Sequence, residues 1–161
     1  MMEKALVVIL MGSKADMAHC QKIAEAVRSF GIEAVLRIGS AHKTARHTMQ
    51  LLEIYESDPR PKVYITVAGR SNALSGFTDG FVNAPVIACP PVGEAYGGAD
   101  VFSSLRMPSG VAPAVVLEPA NAALLAAKII GLFDADVRQR VIQYQKQQAD
   151  KIIQDDQEVD G

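Results

Sequence analysis

The seven residues ALVVILM, 5–11, constrain the fold more than any other stretch of this chain. A strand with one wet face alternates apolar and polar side chains, but this run has no polar position. Both of its faces must therefore be covered, as in the central strand of a parallel sheet. The run is too short to cross a membrane, which takes about 20 apolar residues as a helix. It lacks the charged lead-in and small-residue cleavage pattern of a signal peptide and ends in a glycine turn. A soluble, cytoplasmic protein is expected.

Beyond this run the chain alternates between helical and strand patterns. From Lys14 to Phe30, the residues Met17, Cys20, Ile23, Ala24, Val27 and Phe30 recur at helical spacing, and Gly31 ends the segment. EAVLRIG (33–39) reads as a second strand and TARHTMQLLEIYES (44–57) as a second helix. KVYITVAG (62–69), APVIACPP (84–91) and APAVVLE (112–118) read as three further strands, with room for a short helix within 72–82. PANAALLAAKIIGLF (119–133) opens on a proline suited to the first helical turn and is almost wholly apolar. Strands alternating with helices imply right-handed crossovers, hence an α/β three-layer domain on a five-stranded parallel sheet. A hydrophobic share of 49% with 21% charged residues fits one compact domain, here 1–133. Residues 134–161 form a C-terminal helical tail, in which Val137, Val141, Tyr144 and Ile152 make a thin apolar stripe. That stripe fits packing on a neighbouring subunit and, equally, on the chain's own domain; the apolar helix before it favours the neighbouring subunit.

A net charge of −2 gives no general attraction to nucleic acid or to an anionic membrane. Cys20 and Cys89 are too far apart in sequence for a CxxC or zinc-ligand spacing and read as small buried side chains in a reducing compartment. No metal and no cofactor is expected.

In open parallel sheets, ligands bind at the carboxyl ends of the strands. Those ends are GSKAD (12–16), GSAHK (39–43), GRSNALSG (69–76) and PPVGEAYGG (90–98). The order 2-1-3-4-5 would bring the first three together. Gly12 permits a sharp turn and Ser13 can cap the next helix, with Asp16 completing a capping-box pattern; capping and anion contact are compatible. Ser40 reads as the N-cap of the second helix, whose first turn then carries His42, Lys43, Arg46 and His47. Four basic groups at the positive end of a helix become favourable if a bound phosphate or carboxylate neutralises them. Arg46 and His47 read equally as a solvated basic face. An imidazole beside an anion-binding lysine suits general acid–base catalysis on a phosphorylated substrate, with His42 in that role. Ser71 and Asn72 are hydrogen-bond donors between Gly69 and Gly76, but the G-x-S-x-G elbow of serine hydrolases is missing. SSLRMPSG (103–110) reads as a turn.

In this order and spacing, MGSKAD, SAHKT, AGRSNALSG, APVIACPP and SSLRMPSG closely resemble the purine-biosynthetic PurE family. The resemblance, over about residues 5–133, implies a flavodoxin-like fold, homo-oligomers (tetramers or octamers) and no cofactor. One branch of that family moves a carboxylate within N5-carboxyaminoimidazole ribonucleotide; the other joins carbon dioxide to aminoimidazole ribonucleotide. Both yield 4-carboxy-5-aminoimidazole ribonucleotide. The mutase branch typically reads S-A-H-R-T-P and carries a histidine in the third loop. Here Lys43 follows His42, and Arg70, Ser71 and Asn72 stand without a histidine, as in the carboxylase branch. The resemblance assigns proton transfer to His42 and substrate binding to Ser13, Asp16, Ser40, Lys43, Gly69 and Ser71, with Gly12, Arg70 and Asn72 as possible further contacts. The mutase, or a non-catalytic nucleotide-phosphate binding module on the same fold, remains the alternative.

Overall fold

The computed structural model describes residues 4–159. Its five strands are β1 (Leu6–Met11), β2 (Glu33–Ile38), β3 (Lys62–Val67), β4 (Val86–Ala88) and β5 (Ala114–Val115). They form one sheet in the order β2-β1-β3-β4-β5 with every pairing parallel. Six helices alternate with them or follow: α1 (Met17–Ser29), α2 (Ala45–Glu56), α3 (Leu74–Asp79), α4 (Phe102–Leu105), α5 (Pro119–Ile130) and α6 (Ala135–Val159). The expected strand order and three-layer architecture are both present.

The central position of β1 explains its sequence. Val7, Ile9 and Met11 pack with Cys20, Ile23, Ala24 and Val27 of α1 and with Ala122, Ala123, Ala126 and Ala127 of α5. The alternate residues Leu6, Val8 and Leu10 pack on the other face with Leu51 and Leu52 of α2 and Leu74 of α3. With helices on both faces, no position of β1 can be polar. Burying a Leu, Ile or Val side chain of this kind contributes about 1.5–3 kcal/mol.

β4 and β5 are shorter than their apolar sequence suggests. Pro85 precedes β4 and Pro90 and Pro91 follow it, so the run 84–91 yields only Val86–Ala88. Proline has no N–H for a ladder and stops pairing at both ends. Pro113 likewise immediately precedes β5. The short helix expected within 72–82 is α3, whereas α4 falls where only loop and turn were expected.

The tail is one helix from Ala135 to Val159. The carboxylate of Asp134 accepts the N–H groups of Asp136 and Val137, each at 3.0 Å, and so caps its start. Val137 and Val141 are buried in the α1–α5 side of the core, and Tyr144 meets Phe30 edge-on at 5.4 Å. Among the described residues, no helix is long and apolar enough to cross a membrane.

Candidate functional site

Parallel pairing places the first three loops side by side at the carboxyl edge of the sheet. The Gly12 N–H donates to Val67 O at 2.9 Å, and the Gly39 N–H donates to Met11 O at 2.9 Å. Each loop thus begins at the same level as its neighbour.

In the first loop, Ser13 Oγ accepts the Ala15 N–H at 3.2 Å and caps a single 3-10 turn, Lys14–Asp16. The capping box anticipated from the sequence does not form. Asp16 stands at the N-cap position of α1, but its carboxylate makes no cap hydrogen bond. The intervening 3-10 turn alters the helical register that a capping box requires. Asp16 is consequently a half-buried carboxylate without a backbone partner. Desolvation pushes its pKa above the ordinary carboxylate value, opposed by nearby His19.

The second loop also differs from expectation. Ser40 is not the N-cap of α2. Its Oγ accepts the Lys43 N–H at 3.1 Å, its carbonyl accepts the Thr44 N–H at 3.0 Å, and its own N–H donates to Thr44 Oγ1 at 2.9 Å. Residues 40–44 therefore close a turn of their own, and α2 begins at Ala45 with Thr44 as its cap position. His42 and Lys43 belong to that turn, while Arg46 and His47 lie in the first turn of the helix. All four are exposed. None of them is in an ion pair among the described residues.

The turn is held close to α2 by Gly39. A Cβ there would lie 2.7 Å from Thr48 Oγ1 and 3.3 Å from Thr48 Cβ. Thr48 is fully buried, and its hydroxyl faces the carbonyls of Thr44, at 3.1 Å, and Ser40, at 3.3 Å. Gly39 therefore sets how closely the basic turn approaches the sheet edge.

The third loop is tethered from behind. Arg70 has φ +60°, the only positive φ at a non-glycine residue among those described. Such a conformation costs an arginine about 1–2 kcal/mol. Ser71 is exposed, but Asn72 is buried and both ends of its amide are used within the protein. Its Nδ2 donates to Ser104 Oγ at 2.9 Å, and its Oδ1 accepts the Ser75 N–H at 3.2 Å. Asn72 therefore shapes the loop from within, while Gly69 and Ser71 remain at its surface.

Two sets of contacts were not apparent in the sequence. His19 Nε2 lies 3.1 Å from Cys89 O, and desolvation lowers its pKa below the ordinary histidine value. Asp100, Ser103 and Ser104 reach the third loop from a segment about 30 residues downstream. No local spacing reveals either contact, because each depends on which loops the sheet juxtaposes. Burial pushes the Cys20 and Cys89 thiols up to about 12, so both remain protonated near neutrality. Among the described residues, no group of three or more His, Cys, Asp or Glu is arranged to hold a metal ion.

The AIR carboxylase family model matches residues 6–151. This chain belongs to the AIR carboxylase family. It is 59% identical to a phosphoribosylaminoimidazole carboxylase of Treponema denticola, over 95% of this chain and 96% of that relative. A phosphoribosylaminoimidazole carboxylase of Archaeoglobus fulgidus is 52% identical, over 94% of this chain and 83% of its own length. The crystal structure of Treponema denticola PurE superposes with a TM-score of 0.95 at 58% identity, covering 96% of this chain and 98% of that one. Within the AIR carboxylase family, the fold is therefore shared across nearly the whole chain.

Proposed function

We propose that this chain carboxylates 5-aminoimidazole ribonucleotide at ring carbon 4 with carbon dioxide, giving 4-carboxy-5-aminoimidazole ribonucleotide in purine biosynthesis. One observation carries the reading: three adjacent strand ends present Ser13 with Asp16, Ser40 with His42 and Lys43, and Gly69 with Ser71. The ribose phosphate takes Ser13, Ser40 and the Lys43 ammonium. Asp16 accepts from ribose hydroxyls, because a carboxylate would repel phosphate. Its lack of a backbone partner suits that role.

Carbon 4 of the substrate is an enamine-like nucleophile, and its electron pair forms the new bond to carbon dioxide. The adduct keeps a hydrogen on that carbon. His42 removes this proton, and the C–H electrons restore the aromatic ring. The product leaves with a carboxylate, and the proton remains on the imidazole until solvent takes it. The Ser71 hydroxyl and backbone N–H groups of the third loop stabilise the developing carboxylate. In the reverse direction His42 is the acid. Lys43 and the histidine-free third loop support direct carboxylation over the mutase, as do the names of both relatives.

The test is an initial rate with aminoimidazole ribonucleotide and dissolved carbon dioxide, without ATP, followed by absorbance of the carboxylated product. Product formation supports the carboxylase. Turnover of N5-carboxyaminoimidazole ribonucleotide alone would assign the mutase, and binding without turnover of either substrate would assign a binding module.

A further inference from the structure

The third loop is held in a shape its sequence does not favour, by residues that the proposed reaction does not use. Arg70 occupies the left-handed region at φ +60°, where glycine would be at ease and arginine is not. Its N–H donates to Asp100 Oδ2 at 3.1 Å. Two residues on, the Asn72 N–H donates to Ser103 Oγ at 2.9 Å. The single hydroxyl hydrogen of Ser103 points to Asp100 O at 2.7 Å, with Arg70 O a more distant alternative at 3.2 Å. The Asn72 side chain adds its bond to Ser104. The same Asp100 carboxylate would lie 3.4 Å from a Cβ at Gly93, so it fills the space between the third and fourth loops.

These bonds dispose of the N–H groups on either side of Ser71 and leave the one between them free. Among the described residues, the Ser71 N–H has no hydrogen-bond partner. A left-handed residue reverses the direction of the peptide that follows it, so the sign of φ at Arg70 decides how the Ser71 N–H is presented. A donor fixed before the reaction stabilises developing negative charge without reorganising, which is where catalytic hydrogen bonds gain most of their advantage.

We propose that Asp100, supported by Ser103, is a positioning residue: it holds Arg70 in its left-handed conformation and thereby keeps the Ser71 N–H available to the nascent carboxylate. The catalytic consequence rests on the carboxylase reading; the conformational part does not. Asp100 touches no reacting atom in this scheme and acts through the Arg70–Ser71 peptide.

The experiment compares wild-type protein with Asp100→Ala and Asp100→Asn, each also in an Arg70→Gly background. Amide hydrogen exchange is read over residues 69–73 without substrate, and kcat and KM are read with aminoimidazole ribonucleotide and carbon dioxide. Asp100→Ala is expected to speed exchange at Arg70, whose N–H loses its acceptor, and to lower kcat by about 10- to 100-fold, with KM for the ribonucleotide little changed. Asparagine retains an acceptor oxygen, so Asp100→Asn should keep most of the rate. Glycine adopts φ +60° without help, so Asp100→Ala should cost less than about threefold in the Arg70→Gly background. Equal losses in both backgrounds would overturn the proposal, as would equal damage from asparagine and alanine. Unchanged exchange in Asp100→Ala overturns it whatever the wild-type protein catalyses. Absence of product from the wild type, with exchange raised as expected, removes the catalytic consequence and the carboxylase reading together while leaving the backbone clamp established.

Discussion

His42 and Asp16 are the two residues at which function and stability separate most sharply. His42 is exposed and makes no hydrogen bond within the chain among the described residues, so its replacement should leave the fold intact. His42→Asn is expected to keep ribonucleotide affinity, measured by calorimetry, while lowering kcat by about 10²- to 10⁴-fold. Undiminished turnover would remove His42 from the mechanism. Asp16 is the opposite case, because burial already disfavours its charged form. A carboxylate whose folded pKa is raised contributes stability below its unfolded pKa and loses it as pH rises through the folded value. Ionised Asp16 is therefore a burden on the empty protein near neutrality. Asp16→Asn should raise Tm at pH 7, with the advantage shrinking as pH falls toward about 4, yet weaken ribonucleotide binding about 10- to 100-fold. A lower Tm at pH 7 would contradict this account. At this scale the sequence exposed side-chain chemistry but not backbone conformation. Ser13, Asp16, His42 and Lys43 were legible as residue types in turn-rich loops; Arg70 was not, because nothing in an arginine announces a left-handed φ.

Elements were legible where burial dictated them and blurred where local bonds competed. The apolar run of β1 and the helical spacing of α1 fixed both segments to within a few residues, since a buried strand and an amphipathic helix leave different periodicities. Ser40 was misread as the N-cap of α2 because it has two uses in the same motif. It can cap a helix or close a turn, and the Thr44 hydroxyl, four residues on, selects the turn. This moves His42 and Lys43 out of the first helical turn and frees their side chains for a ligand. Gly39 then becomes the element-scale determinant, since Thr48 leaves no room for a Cβ. Gly39→Ala should force α2 away from the sheet edge and destabilise the fold by about 1–3 kcal/mol in denaturant titrations. It should also raise KM, because the basic turn moves with the helix. Thr48→Ala removes the clashing hydroxyl and should recover part of the stability of Gly39→Ala. Non-additivity of that sign is what steric contact predicts, and additive losses would mean that the two residues do not meet.

The whole molecule poses a question that one chain does not close, at α6. Its 25 residues extend about 37 Å, more than the domain beneath it needs. Val137, Val141 and Tyr144 lie on one side of the helix and pack on the chain's own core. At 3.6 residues per turn, Ile152 and Val159 continue that same side. There they are 70% and 87% exposed. A helix that continues its apolar stripe past its own core presents that stripe to something else. Near α5, Leu132 is 79% exposed and Phe133 42%, so uncovered apolar surface is not confined to the tail. We propose that a second copy of this chain covers the outer half of α6. Wild-type protein should then sediment well above its 17.2 kDa monomer mass. Ile152→Glu, on the stripe, should shift it toward smaller species, whereas Gln157→Glu, on the opposite side of the helix, should not. A wild-type monomer would end this reading. If smaller species also lose carboxylation while keeping a native circular-dichroism spectrum, the neighbouring copy contributes to the site; retained activity would mean that a single chain's three loops suffice.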